Sequence, residues 1–547
     1  MTGTSGGRGA SRWPAFQARN LWENDAVLAA ALEGSLTPER EADLFEHGGF
    51  WGSAEARELV RLAETHPPRL VDRDPWGERV DAVEYHPARH ALVRRGIEAG
   101  LAVDVHDPDL AGRAPVHTLR AARTILTAQT DIAHLASASG TSAVLGAVLA
   151  AGDVGNEWLA RALPRRFDHR ALPVGSKLGV TLGPSLVERG ASFPGGTPET
   201  VATPAGDGTV LLDGQTWFLA APMSDAFLVP ARTADGPALF LVARHRKDGS
   251  VNGLRLERLK STLGVRGEAV VEARFEAAEA IAVGTAETAA DLAQRATTAL
   301  RFDATAQAAG LMRGALARAI SHARQRRIAG ERLIDQPLMA RVLADATLDG
   351  AAATALTIRI ARALDRAEVD ETEAAYARLV IPAARYFVAK SAILVTAEAL
   401  ECLGANGFCE DHELARFYRD APLVGLIGGA GNTLALDVLR LVEETPEAFA
   451  AAIGAIADDL DRQSSSASRE LLQAAAIECV RDQGSARILV EQVALAAAAG
   501  ALHRCAPRTL TEAFTDTRLA GPWRASHGML DGRFDARAIV DYTFPEI

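Results

Sequence analysis

The residues best placed by type and spacing for chemistry lie in Gly428-Gly429-Ala430-Gly431-Asn432. This run of small residues opens directly into an apolar helical pattern, Leu434, Leu436, Val438 and Leu439. A glycine loop that starts a helix brings bare N–H groups close to a ligand, and a helix N-terminus favours an anion. Short glycine runs also make ordinary loops, so this one alone assigns no reaction. Arg324, Arg326 and Arg327 could clamp a phosphate, although such a cluster is also what a solvated helix end looks like. His86 and His90 stand four apart, but Pro87 between them argues for capping or packing rather than a helical metal pair. Cys402, Cys409, Cys479 and Cys505 have neither metal-ligand nor redox spacing. HExxH, GxGxxG and P-loop motifs are absent, and no metal site is expected.

The elements that must position these residues are mostly helical. At 547 residues the chain exceeds one compact core. Its 48% apolar and 23% charged content is globular, and alanine-rich periodic segments dominate while aromatics make up only 5%. Helical spacing runs from Asp25 to about Gly155, broken at His66-Pro67-Pro68, Asp74-Pro75-Trp76-Gly77 and His106-Asp107-Pro108. The period then changes. Thr209–Leu212, Asp213-Gly214 and Gln215–Leu219 read as strand, turn and strand, and Val271, Ala273 and Phe275 alternate with Glu272, Arg274 and Glu276. After Thr285 helices return, first with Phe302, Ala306, Ala309, Met312, Leu316 and Ile320 on one face, then over 336–367, 371–404 and 432–443. Thr445-Pro446 marks the next break, and a loose Gly/Arg-rich stretch lies near the C-terminus.

Basic residues number 58 against 70 acidic, a net charge of −12, which disfavours a nucleic-acid or acidic-membrane surface. Residues 441–547 hold 10 Arg and no Lys against 16 Asp plus Glu, so 10 − 16 = −6. DNA affinity through counterion release needs the opposite sign. No stretch reads as a bilayer span, the N-terminus lacks an apolar signal core, and the thiols read as reduced. A soluble, cytoplasmic protein is expected.

Helices, a mid-chain β domain and more helices, carried by particular blocks, resemble the acyl-CoA dehydrogenase superfamily. The blocks include His66-Pro67-Pro68, Val80–Pro87, Leu256–Lys260, Arg301-Phe302-Asp303, His322–Arg326, Gln336–Met339, Glu401–Arg419 and Gly431–Arg440. The longer frame, from about Asn20 onward, is similar to the AidB branch of alkylation-response flavoproteins. The resemblance implies a mainly α fold with a central β-barrel or sandwich. Its expected domains are a tail at 1–20, a helical domain at 21–170, the β domain at 171–285, a flavin-side bundle at 286–444 and a C-terminal helical domain at 445–547. It also implies FAD, a small-molecule substrate and a homodimer or homotetramer, or a hetero-oligomer with a homologue. Carried over, Trp217 lies beside the isoalloxazine, and Arg326 and Gln336 meet the pyrophosphate and adenine side across a subunit interface. Gly404 and Ala405 bring backbone to the phosphates, and Gly431-Asn432 close the loop.

The sequence departs from the family at the reacting centre. Gly428 stands where the family carries its catalytic glutamate, the base that takes the α-proton. In members with the base on the long helix, the matching position is Leu300, which leaves Asp303 as the nearby carboxylate; an ion pair with Arg301 or a neighbouring helix is its ordinary alternative. Leu186, Ala220 and Ala329 replace a threonine, a hydroxyl residue and a phenylalanine of the flavin shell. At ~1 to 3 kcal/mol each, these losses total ~3 to 9 kcal/mol, against the ~12 kcal/mol of nanomolar binding. The expectation is a repurposed FAD oxidoreductase that does not perform ordinary acyl-CoA dehydrogenation, the alternative being a flavin-free enzyme or partner subunit.

Overall fold

The computed structural model describes residues 16, 19–110, 115–152, 156–206, 209–460, 462–519, 527 and 533–545. Most of the expected tail 1–20 and most of the Gly/Arg-rich stretch lie outside these residues. Helices dominate, and the mid-chain strands stand between two helical groups. The N-terminal helices include Val116–Ala128 and Leu135–Ala151, both buried on most sides as their small-residue content requires. Sequence spacing misses a two-stranded hairpin, Arg69–Arg73 with Arg79–Glu84, turned at Asp74–Gly77. Its strands are short and charged, so they carry almost no period-two signal.

The mid-chain strands form one sheet that closes on itself. Ala226–Thr233 pairs with Gly236–Ala243, which pairs with Val270–Val283, then Thr209–Ala220, then Val201–Gly206, whose Val201 meets Arg232 to close the ring. Leu212, Phe227, Phe240, Leu256 and Phe275 fill its interior. The Asp213-Gly214 turn is a misreading: Thr209–Ala220 is one continuous strand with a register shift between Leu212 and Gly214. The same residue types serve a bulge. A Cβ at Gly214 would lie 2.2 Å from Thr200 Oγ1, and Asp213 accepts a hydrogen bond from Ala277 N at 2.9 Å.

Beyond the barrel, Ala289–Gln325, Pro337–Arg366 and Glu371–Cys402 pack together as a bundle. Gln336 and Asp370 stand at the N-caps of the second and third, close to the boundaries that Pro337 and the acidic run from Asp370 predict. Gly431–Glu444 follows the glycine loop, and Pro446 starts the next helix at its first position. Two helices, Glu371–Cys402 and Gln483–Cys505, are long and apolar enough to cross a membrane, but their apolar stretches are mostly buried in the protein.

Candidate functional site

The glycine loop is built from arginines and main-chain oxygens. Gly428 and Gly429 adopt φ of +70° and +111°, conformations that glycine reaches without penalty. Arg301, on the long helix, donates through Nε to the Gly428 carbonyl at 2.7 Å and lies 2.6 Å from Asp437 Oδ2. Arg385, on the third bundle helix, donates to the Ile427 carbonyl at 2.8 Å and the Gly429 carbonyl at 2.9 Å. Burial, and then the nearby Arg301 charge, pull the Arg385 pKa down to about 10. A Cβ at Gly428 would meet Arg301 Cγ at 2.6 Å. Gly428 is therefore backed by the Arg301 side chain, which leaves no room for a larger residue in this loop conformation.

Asp303 does not replace the missing base. Its two oxygens accept from Arg120 Nη1 and Nη2 at 2.6 and 2.7 Å, and both side chains are buried. Two helical positions separate Arg301 from Asp303, roughly 200° around the axis. Arg301 thus faces the loop while Asp303 faces the helix Val116–Ala128, so its neighbouring-helix alternative holds. Leu300 is partly buried and supplies no ionisable group.

On the barrel side, Trp217 is half-buried and its main-chain N–H donates to the Val187 carbonyl at 2.8 Å, which sets its backbone beside Leu186. Lys260 Nζ lies 4.0 Å from the Trp217 ring centroid and 4.5 Å from that of Phe218, and the Arg189 guanidinium is 5.2 Å from Trp217. Glu272 accepts from Lys260 at 2.7 Å. Leu186 is buried and Ala220 exposed. Neither carries a hydroxyl, while the buried Ser185 and Ser224 hydroxyls have no hydrogen-bond partner among the described residues.

The phosphate-side residues sit on separate elements. Arg326 ends the long helix, its carbonyl accepting from Leu333 N at 2.7 Å. Between them the hairpin Arg327–Ile328 with Glu331–Arg332 turns through Ala329 and Gly330 at φ of +52° and +92°. Gln336 Nε2 donates to Glu331 at 2.9 Å. Gly404, at φ +61°, has open space where a Cβ would be, and Ala405 beside it is exposed. Asn432 Oδ1 accepts from Arg487 of the C-terminal helices at 2.7 Å. The structure thus joins Arg326 to Gln336 through one hairpin, and Gly428 to Gly431 and Asn432 through one loop.

FAD fits the residues present. Bare, exposed backbone at Gly404-Ala405 and a guanidinium at Arg326 suit phosphates. Trp217 offers an aromatic ring, against which Lys260 and Arg189 lie.

A closed barrel between helical bundles, with a glycine loop entering a helix, defines the acyl-CoA dehydrogenase class of flavoproteins. Residues 12–169 match the adaptive response protein AidB N-terminal domain, and residues 290–442 match the acyl-CoA dehydrogenase C-terminal domain. AidB of Escherichia coli (strain K12) is 36% identical over 426 residues, 78% of each chain. The chain belongs to the AidB branch of the acyl-CoA dehydrogenase family. Its fold is similar to that of ACDH-11 of Caenorhabditis elegans in complex with C11-CoA, with a TM-score of 0.78 at 21% identity, over 99% of this chain and 93% of that one. An acyl-CoA dehydrogenase complexed with FAD from Bacillus anthracis gives a TM-score of 0.68 at 15% identity, over 97% and 89%.

Sequence reasoning missed Arg385, Lys260 and Arg487. Arg385 alone had a legible signal, a single charge inside the apolar run Leu379–Ala389. Lys260 and Arg487 acquire meaning only through partners far away in sequence.

Proposed function

We propose that the chain is an FAD-binding oxidoreductase whose reaction is not ordinary α,β-dehydrogenation of an acyl-CoA. The observation that carries this reading is Gly428, at φ +70° with Arg301 Cγ 2.6 Å from where a Cβ would lie. FAD would be held by Trp217 and the main chain near Leu186 on the ring side. Arg326, Gln336, Gly404, Ala405, Gly431 and Asn432 would serve the phosphate side, with subunits of a homo-oligomer sharing the site. FAD supplies an electron acceptor when bound. Arg301 and Arg385 fix the loop through its carbonyls and put positive charge behind it. A cationic wall accepts no proton, so the substrate is a small molecule whose oxidation needs no carboxylate to take a carbon-bound proton, such as one oxidised at nitrogen. The relatives bound to FAD and to C11-CoA support the cofactor and a small-molecule site. Unbridged cysteines fit a cytoplasmic location, and the −6 charge of residues 441–547 speaks against duplex DNA.

A second reading is a flavin-free member, acting as a non-redox enzyme or as the inactive partner subunit of a homologue. It is favoured by Leu186 and Ala220 without hydroxyls and by Lys260 and Arg189 already lying against Trp217. The visible absorption spectrum, taken before and after incubation with excess FAD and desalting, decides between them. Retained flavin supports the oxidoreductase. A colourless protein that releases all added FAD overturns it in favour of the second reading.

A further inference from the structure

The helix Ala536–Thr543 ends against the stretch that carries Arg326 and Gln336. Asp535 caps it, accepting from Ala538 N at 3.0 Å, and Ile539, Val540 and Phe544 are buried. Three arginines help to tie it down. Arg324 donates to Asp541 Oδ1 at 2.8 Å and also to the Phe544 carbonyl. The Arg313 guanidinium lies 3.5 Å from the Phe544 ring centroid. Arg537 donates to Asp335 Oδ1 at 2.8 Å.

The Arg324 and Arg537 contacts fall at the two ends of one short segment, and the Arg313 contact lies further back on the long helix. Arg324 stands two residues before Arg326, and Asp335 immediately precedes Gln336. Between them the hairpin tip, Arg327 to Glu331, is exposed, so little of it is held by burial and its order depends on its ends. The joint itself is packed but incompletely bonded. Arg313 Nη1, Thr347 Oγ1 and Thr543 Oγ1 are buried there without a hydrogen-bond partner among the described residues, and their residues line one cavity with Asp25 and Phe544.

We infer that the helix Ala536–Thr543 and the adjoining Phe544 form a latch that positions the cofactor-phosphate segment, residues 326–336, with Arg537, Asp541 and Phe544 as positioning residues. This rests on the reading that Arg326 and Gln336 meet the FAD pyrophosphate and adenine. The test uses the full chain as wild type, Arg537→Ala, Arg537→Lys and Phe544→Ala. Hydrogen–deuterium exchange is followed in peptides covering 326–336 without cofactor, and FAD binding is followed by flavin fluorescence. Both alanine variants should speed exchange in 326–336 while leaving the barrel strand Val270–Val283 unchanged, and weaken FAD binding about three- to tenfold. Arg537→Lys, which keeps a charge facing Asp335, should retain most of the wild-type behaviour. Unchanged exchange in both alanine variants overturns the latch. Faster exchange with unchanged affinity, in a wild type that binds FAD, overturns the positioning role. Faster exchange in a protein that never binds FAD upholds the latch and overturns the cofactor reading on which its function rests.

Discussion

Replacing Gly428 by alanine should destabilise the protein through two effects that can be separated. A non-glycine residue at φ +70° costs about 1 to 2 kcal/mol of backbone strain. The new methyl would lie 2.6 Å from Arg301 Cγ, and forcing an atom into such space costs typically about 1 to 3 kcal/mol more. Arg301 cannot withdraw freely, because its Nε holds the Gly428 carbonyl and its Nη2 lies 2.6 Å from Asp437. The expected loss is therefore roughly 2 to 5 kcal/mol. Gly404→Ala is the internal control: φ is +61° and open space surrounds the Cβ position, so strain of about 1 to 2 kcal/mol is all that it should cost. Urea unfolding of the two variants beside wild type gives the difference. Equal losses, or a smaller one for Gly428→Ala, would refute the argument that Arg301 fills the base position. The same geometry implies that Gly428→Glu will not create a working base, because its Cβ meets the same obstruction.

Other perturbations test the surrounding structure. Asp303→Asn should destabilise by about 3 to 5 kcal/mol in denaturant unfolding, because it leaves the buried Arg120 charge unpaired; an effect below about 1 kcal/mol would mean that the pair is not formed. Asp420 is raised from an ordinary carboxyl value to about 7, by burial first, with Arg416 opposing and Glu64 reinforcing that shift. Its folded pKa exceeds its unfolded one, so its stability contribution is complete below pH ~4 and disappears as pH rises through ~7. The melting temperature of Asp420→Asn should accordingly fall less than that of wild type between pH 5 and pH 8, and identical slopes would remove Asp420 from the account. Restoring hydroxyls with Leu186→Thr and Ala220→Ser should tighten FAD binding about tenfold or more in a fluorescence titration, at about 1 kcal/mol for each hydrogen bond regained. No change would mean that these positions do not face the flavin.

What the sequence disclosed depended on how far apart the interacting residues lie. Thr445-Pro446 marks a break and a helix is expected from 336, and the structure begins helices at Pro446 and Pro337, where proline suits the first helical position through its own backbone. Asp213-Gly214 misled because a turn and a bulge ask for the same residues. Only the 2.2 Å approach of Thr200 to the Gly214 Cβ position separates the two. The pairing of Asp303 with Arg120 spans 183 positions and has no local sign. The resemblance alone sets Gly428 at the family's glutamate position, and the arginine contacts around it have no sign in the sequence. Arg301 and Arg385 bind the carbonyls of Ile427, Gly428 and Gly429, and a main-chain acceptor looks the same in every residue type.

Anaerobic mixing of the FAD-loaded protein with saturated acyl-CoA thioesters of short, medium and long chain, with dithionite as the positive control, addresses the central claim most directly. The account predicts that dithionite bleaches the visible flavin band while none of the thioesters does so on the timescale of turnover. Rapid bleaching by any of them, with formation of the enoyl-CoA, would show that the protein removes an α-proton without a glutamate at position 428 and would contradict the account.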